Sequence, residues 1–182
     1  IRRFFSQSPS ANVGDTSAAL QSLQQLSHTL VAHKQSGAVT PLKLEPLLET
    51  LAHNQSGGYL LRRMALSLRE LERGNQLLAG IDPQRLCPRN QASTRARRLR
   101  NVLDKVWAPK VQQALAQSRR QRQSLADSLE QMNGLLDSPP APFTRWRHHY
   151  FGPNGVESRM ERALERHVTL WQEHLGACGL MP

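Results

Sequence analysis

Residues 59–79 read Tyr59-Leu60-Leu61-Arg62-Arg63-Met64-Ala65-Leu66-Ser67-Leu68-Arg69-Glu70-Leu71-Glu72-Arg73-Gly74-Asn75-Gln76-Leu77-Leu78-Ala79. Leu60, Leu61, Met64, Leu68 and Leu71 recur at the three- and four-residue steps that put side chains on one face of a helix. Gly74 weakens the interior of this helix, and Gly80 ends it. The same pattern runs upstream. Over residues 16–36, Leu20, Leu23, Leu30 and Val31 share a face, with Asp15 placed to cap and Gly37 to terminate. Thr40-Pro41 then has the form of a second helix start, with Leu44, Leu47, Leu48 and Leu51 as its stripe and Pro46 placed to shorten or bend it. Ser56-Gly57-Gly58 reads as a break before the third helix. Residues 16–80 are thus expected to form a three-helix unit around one Leu-rich core, behind an extension at 1–15.

Downstream, 81–137 reads as a connector, containing Asp82-Pro83 and Cys87-Pro88, followed by a long helix from about Ser93 to Leu136. Its early stripe is Leu99, Val102, Leu103 and Val106; Pro109 must interrupt it, because proline has no amide donor and crowds the preceding turn. Beyond it, Leu115, Leu125, Leu129, Met132 and Leu136 form a seam broken by Ser118 and Arg122, which predicts that a partner surface completes the helix. Residues 138–155 read as a Pro-rich spacer, Ser138-Pro139-Pro140-Ala141-Pro142, and an irregular aromatic-basic loop. Residues 156–182 carry a last helix, with Met160, Leu164, Trp171 and Leu175 facing inward, and a short tail.

Composition agrees with these periods. Leu occurs 28 times among 182 residues and Ile plus Val only 10, so an extensive sheet lacks its preferred residues. The expected fold is all-α: a small amphipathic bundle, a long Pro-interrupted helix and a C-terminal helix. No apolar run approaches the length of a transmembrane helix. Cys87 and Cys178 are too few for a disulfide-stapled scaffold or a cysteine-rich zinc module, and as free thiols they fit a reducing compartment.

The charge is concentrated. The chain has 24 Lys plus Arg against 14 Asp plus Glu, a net +10. Between Arg85 and Arg122 lie eleven basic residues, nine of them Arg, and one acid, Asp104, so this segment carries the whole net charge. Localised guanidinium groups are the footprint of a polyanion-binding surface, because their planar forks match phosphate oxygens. Arg95, Arg98 and Leu99 share a helical face, with Arg97 and Arg100 around the cylinder. A second cluster, residues 143–151, interleaves Phe143, Trp146, Tyr150 and Phe151 with Arg145, Arg147, His148 and His149. Such residues stack on unpaired bases or fill a partner's pocket.

No catalytic constellation stands beside these clusters. There is no phosphate-cradling Gly-rich loop and no H-E-x-x-H. His148 and His149 are adjacent and point apart, and His167 and His174 are seven residues apart, a spacing that suits packing better than a metal. Glu70 with Glu72 and Glu161 with Glu165 read as surface charges, and Cys87 has no histidine nearby in sequence to activate it. The opening, Ile1-Arg2-Arg3-Phe4-Phe5-Ser6, is Arg- and Ser-rich with no acid before Asp15, which resembles the end of a mitochondrial presequence.

The expectation is therefore a non-enzymatic protein of the mitochondrial matrix that needs no cofactor. In this reading it is a structural component of the mitochondrial ribosome or of its assembly intermediate, contacting rRNA and neighbouring protein subunits. The expected RNA-binding residues are Arg89, Arg95, Arg97, Arg98, Arg100, Lys105, Lys110, Arg119, Arg120, Arg122, Arg145, Trp146 and Arg147. The alternative is a matrix-side accessory subunit of a respiratory complex or the ATP synthase, with the basic helix against acidic subunits or anionic lipid.

Overall fold

A computed structural model describes residues 13–37, 39, 41–54 and 56–180. The presequence-like stretch lies outside these residues. Of the described residues, 82% are helical and none is in a strand, so the fold is all-α. The helices are α1 (Val13–Ser36), α2 (Glu45–His53), α3 (Ser56–Ala79), a single turn α4 (Pro83–Leu86), α5 (Thr94–Val102), α6 (Gln113–Asn133), α7 (Ala141–Phe151) and α8 (Val156–Gly176). Between α5 and α6 runs a π-helical stretch, Leu103–Gln112, with Pro109 inside it. Proline cannot donate the i→i−4 bond of an α-helix, and here the interruption takes the form of a widened turn.

Three local expectations are revised. Helix α2 starts at Glu45 rather than at Pro41, and Pro46 sits in its first turn. A helix begun at Pro41 would hold Pro46 in its interior, where the ring collides with the preceding turn; at the start the missing N–H costs nothing. Ser56-Gly57-Gly58, read as a break, forms the first turn of α3. Residues 143–151, expected as a loop, belong to α7, because Pro142 lies in its first turn and the Thr144 amide donates to the Pro140 carbonyl at 3.0 Å. The proline run starts a helix here instead of spacing two segments.

The chain divides into two units, each discontinuous in sequence. One joins the chain through Arg62 with Arg119–Thr144; the other joins Arg63–Ser118 with Arg145–Pro182. In the first, α1 is tied to α6 and the residues after it. The Ser27 hydroxyl donates to Gln131 Oε1 at 2.8 Å, and Lys34 Nζ donates to the Leu135 carbonyl at 2.9 Å. Leu26, Leu60, Leu125 and Leu129 are buried. Of the two breaks in the α6 seam, Arg122 belongs to this unit and Ser118 to the other, and both are buried.

The second unit holds the larger core. Met64, Leu68, Leu71 and Leu78 of α3 and Met160, Ala163, Leu170, Trp171 and Leu175 of α8 are buried, each large apolar side chain contributing about 1.5–3 kcal/mol. Both helical stripes carry polar residues, and these meet each other. Trp171 Nε1 donates to His167 Nε2 at 2.9 Å, and His167 Nδ1 lies 2.8 Å from Asn75 Oδ1. Asn75 Nδ2 donates to the Ala163 carbonyl at 2.8 Å. An indole nitrogen can only donate, so His167 Nε2 must be bare and the ring proton sits on Nδ1, donated to Asn75. The His167 ring also lies 4.1 Å, centre to centre, from that of Trp107 in the π-helical stretch. Burial lowers the His167 pKa from 6.5 to about 4, so the ring is neutral at pH 7. His174 is buried too, with Nε2 2.8 Å from the Leu78 carbonyl. Both histidines are core residues, in line with their spacing in the sequence.

Candidate anion-binding groove

The residues that join α3 to α5 form the mouth of the second unit. Gly80 ends α3, its amide donating to the Gln76 carbonyl at 3.1 Å. Asp82 then caps the single turn α4, its Oδ1 accepting from the Gln84 amide at 2.9 Å, and Pro83 opens that turn. Leu86 points into a small buried cluster with Cys87, Ala96 and Cys178. At the start of α5, Ser93 acts in two directions. Its hydroxyl donates to the Leu86 carbonyl at 2.6 Å and accepts from the Ala96 amide at 3.2 Å, capping α5 while holding it against α4.

The two cysteines are not free thiols. Cys87 and Cys178 form a disulfide that closes a loop with a sequence separation of 91. The pairing is not legible in sequence, because the two residues are separated by 91 positions and no local pattern links them. Immediately after Cys87 the backbone turns through two left-handed residues, Arg89 (φ 56°) and Asn90 (φ 57°). Non-glycine residues adopt this conformation at a cost, which the bonded Cys87 and the anchored Ser93 on either side help to maintain.

Between these elements lies an open groove of about 520 Å³. Its floor is apolar: Ile81, Leu86, Leu99 and Val102. Its rim carries Arg85, Arg95 and Arg98, with Asp82 beside Arg85. Asp82 and Arg85 pair at 3.4 Å, both well exposed. Among the described residues, Arg89, Arg95, Arg97 and Arg98 make no ion pair, and all four are exposed. Helix α5 explains this arrangement. Ala96 is fully buried and Leu99 packs against the core, while Arg95 and Arg98, beside Leu99 on the groove side, and Arg97, further round the helix, are exposed.

The thirteen expected RNA-binding residues separate into groups. Arg89, Arg95, Arg97, Arg98, Lys105, Lys110, Arg119, Arg120 and Arg145 are exposed. Trp146 and Arg147 are half-buried on α7, where the Trp146 ring lies 5.6 Å from that of Tyr150. Arg100 is turned inward: its Nε pairs with Asp104 at 2.7 Å and its Nη1 bonds the Leu180 carbonyl. It fastens the chain's C-terminal end and is not offered to a ligand. Arg122 is 1% exposed and likewise cannot reach a polyanion from this structure. The density of arginines at 95–100 predicts basic residues over most of the helix's circumference; the structure leaves fewer of them facing outward. The helix's buried side is set by Ala96 and Leu99, with Arg100 consumed locally. Arg119, Arg120 and Arg122 fall in the other unit from the groove. Arg85, outside the expected set, does line the groove; its place depends on the turn of α4, which only the fold discloses.

No group of three His, Cys, Asp or Glu side chains among the described residues is placed to hold a metal ion, and no described helix is long and apolar enough to cross a membrane. The fold and groove define an all-α protein with an Arg-rimmed, apolar-floored cleft beside a disulfide. The chain belongs to the family described as "Protein of unknown function (DUF3080)", which matches residues 2–182. No curated protein and no solved structure matches it.

Proposed function

We propose that this protein is a non-catalytic binding protein whose Arg85–Arg98 region holds a phosphate-bearing polyanion. The observation that carries this reading is the row of exposed arginines Arg89, Arg95, Arg97 and Arg98, with no carboxylate among the described residues pairing any of them. Unneutralised guanidinium groups crowded this closely repel one another, and an anion relieves that repulsion. Arginine's fork forms paired hydrogen bonds to phosphate oxygens, which lysine cannot match. The role is positioning: the protein supplies a fixed basic surface and no turnover.

The disulfide bears on where this happens. Cys87 and Cys178 are buried and bonded. Disulfides persist in oxidising compartments and are rare where glutathione and thioredoxin keep thiols reduced. This favours a polyanion met in an oxidising compartment. A second reading keeps rRNA of the mitochondrial ribosome as the polyanion. The +10 segment favours it, and it requires the Cys87–Cys178 pair to be reduced in the matrix without loss of the fold.

The test is a salt series. The purified, oxidised protein is titrated with single-stranded RNA, inorganic polyphosphate and anionic vesicles from low to high salt. Binding to at least one should fall steeply with salt. Replacing Arg95, Arg97 and Arg98 together with Gln should flatten the logarithmic salt dependence for RNA by roughly 2, at ~0.7 for each phosphate left without its guanidinium. Failure to bind any of the three at low salt overturns the reading. Thiol alkylation in denaturant of protein quenched with acid directly from cells distinguishes the compartments: unlabelled cysteines favour the oxidising one, labelled cysteines the matrix.

A further inference from the structure

The groove has two chemistries in one place, and phosphate binding uses only one of them. Arg85, Arg95 and Arg98 rim it, but its floor is made of Ile81, Leu86, Leu99 and Val102. Val102 of that floor is 43% exposed, an apolar side chain left in water. A polyanion that needed only charge would leave Val102 and the part-exposed Ile81 and Leu99 wet. Single-stranded RNA is gripped by aromatic side chains that stack on its bases, and no aromatic residue lines the groove. Trp146 and Tyr150 pack against each other at a tilt on α7 instead.

We infer that the groove binds a single-chain phosphate amphiphile: a lysophospholipid-like molecule whose headgroup phosphate meets Arg95 and Arg98 and whose acyl chain covers the apolar floor. This rests on the reading that the arginines meet phosphate, and at the groove it puts a singly charged amphiphile in place of a polyanion. The volume, about 520 Å³, lies within the ~300–1,000 Å³ of ordinary small-ligand pockets, which suits one chain and a headgroup better than an intact two-chain lipid. The helical period places the two chemistries correctly. Arg95, Arg98, Leu99 and Val102 follow one another along one face of α5, so a ligand lying along that helix passes from the guanidinium pair at its N-terminal half to the apolar pair beyond. Arg85 approaches from α4 across the groove, with Asp82 holding it at 3.4 Å. An anion drawing Arg85 away from Asp82 leaves that carboxylate accepting the Gln84 amide that it already caps.

The test uses the full oxidised chain and three probes: lysophosphatidylglycerol below its critical micelle concentration, glycerophosphoglycerol as the same headgroup without a chain, and a single-stranded RNA oligonucleotide. Calorimetry reads each affinity, and circular dichroism melting confirms that each variant folds. The lysolipid should bind at least about tenfold more tightly than the chainless headgroup, the effect of about two buried methylenes. Replacing Arg95 and Arg98 with Gln should weaken lysolipid binding by at least about tenfold. Val102→Glu, at an exposed position, should abolish the preference for the chain while leaving the melting curve unchanged. Equal affinity for lysolipid and headgroup overturns the amphiphile assignment and leaves the polyanion reading standing if RNA still binds. Tighter binding of RNA than of lysolipid, lost in the Arg variant and indifferent to Val102→Glu, hands the groove to RNA and likewise overturns it. Silence with all three probes removes both readings.

Discussion

Lowering the pH should unlock the second unit through His167. At pH 7 the ring is neutral, accepting from Trp171 at 2.9 Å and facing Asn75 Oδ1 at 2.8 Å. A proton added at Nε2 would point directly at the Trp171 N–H, setting two donors against each other in a buried site. The folded protein resists that proton, and burial holds the His167 pKa near 4 rather than 6.5. The unfolded chain accepts it at the ordinary value. Between pH 6.5 and 4 the unfolded state therefore carries more bound protons, and stability rises with pH. The contribution is fully present above pH 6.5 and is lost as the pH falls toward 4. Its full size is roughly 3 kcal/mol, at 1.36 kcal/mol per pKa unit, and about 2 kcal/mol of it should be gone by pH 5. Urea denaturation of the native protein and of His167→Gln, each at pH 7.5 and pH 5, isolates the effect. Glutamine can accept from Trp171 and donate to Asn75 but does not titrate here, and the carboxylates common to both proteins cancel in the comparison. The native protein should lose about 2 kcal/mol more than the variant between the two pH values. Equal losses would refute the reasoning, since the pH sensitivity would then reside elsewhere.

Two further outcomes follow from the same unit. A Cβ at Gly74 would stand 3.2 Å from His167 Cε1, a ring already held by Trp171, Asn75 and Trp107, so Gly74→Ala should lower the melting temperature even though alanine in a helix is worth about 1 kcal/mol over glycine; a rise in melting temperature would show that the ring can yield. Reducing the Cys87–Cys178 bond, which spans a separation of 91 residues, should cost about 4–5 kcal/mol by the chain-entropy relation, read as a drop in urea midpoint with dithiothreitol, and an unchanged midpoint would mean that the bond constrains nothing in the unfolded chain.

What could be read directly from residue order was whatever repeats over one or two helical turns. The Leu stripes at 60–71 and in the last helix gave the all-α class, and the excess of arginine over acid between 85 and 122 gave the location of the charge. Periodicity also put Arg95, Arg98 and Leu99 on one face, and all three line the groove. Proline and glycine were harder to read, because each has opposite meanings at the start and in the middle of a helix. Pro142 and Gly57 looked like breakers and stand in first turns.

Tertiary structure decided everything that depends on residues far apart in the chain. Asn75 and His167 stand 92 positions apart, and nothing in local periodicity says that they share one hydrogen bond. Cys87 met Cys178, and Arg100 met the Leu180 carbonyl, in the same way. The arginines illustrate the division most plainly. Composition counts charge but is blind to direction, and burial is a property of the packed core. Sequence therefore determined that this chain is helical and carries a concentrated positive segment. Only packing decided that Arg122 is enclosed, that Arg100 is spent on the chain itself, and that Arg95 and Arg98 stand over an apolar floor. Ala96 and Leu99, drawn into the core, fix which way that helix faces.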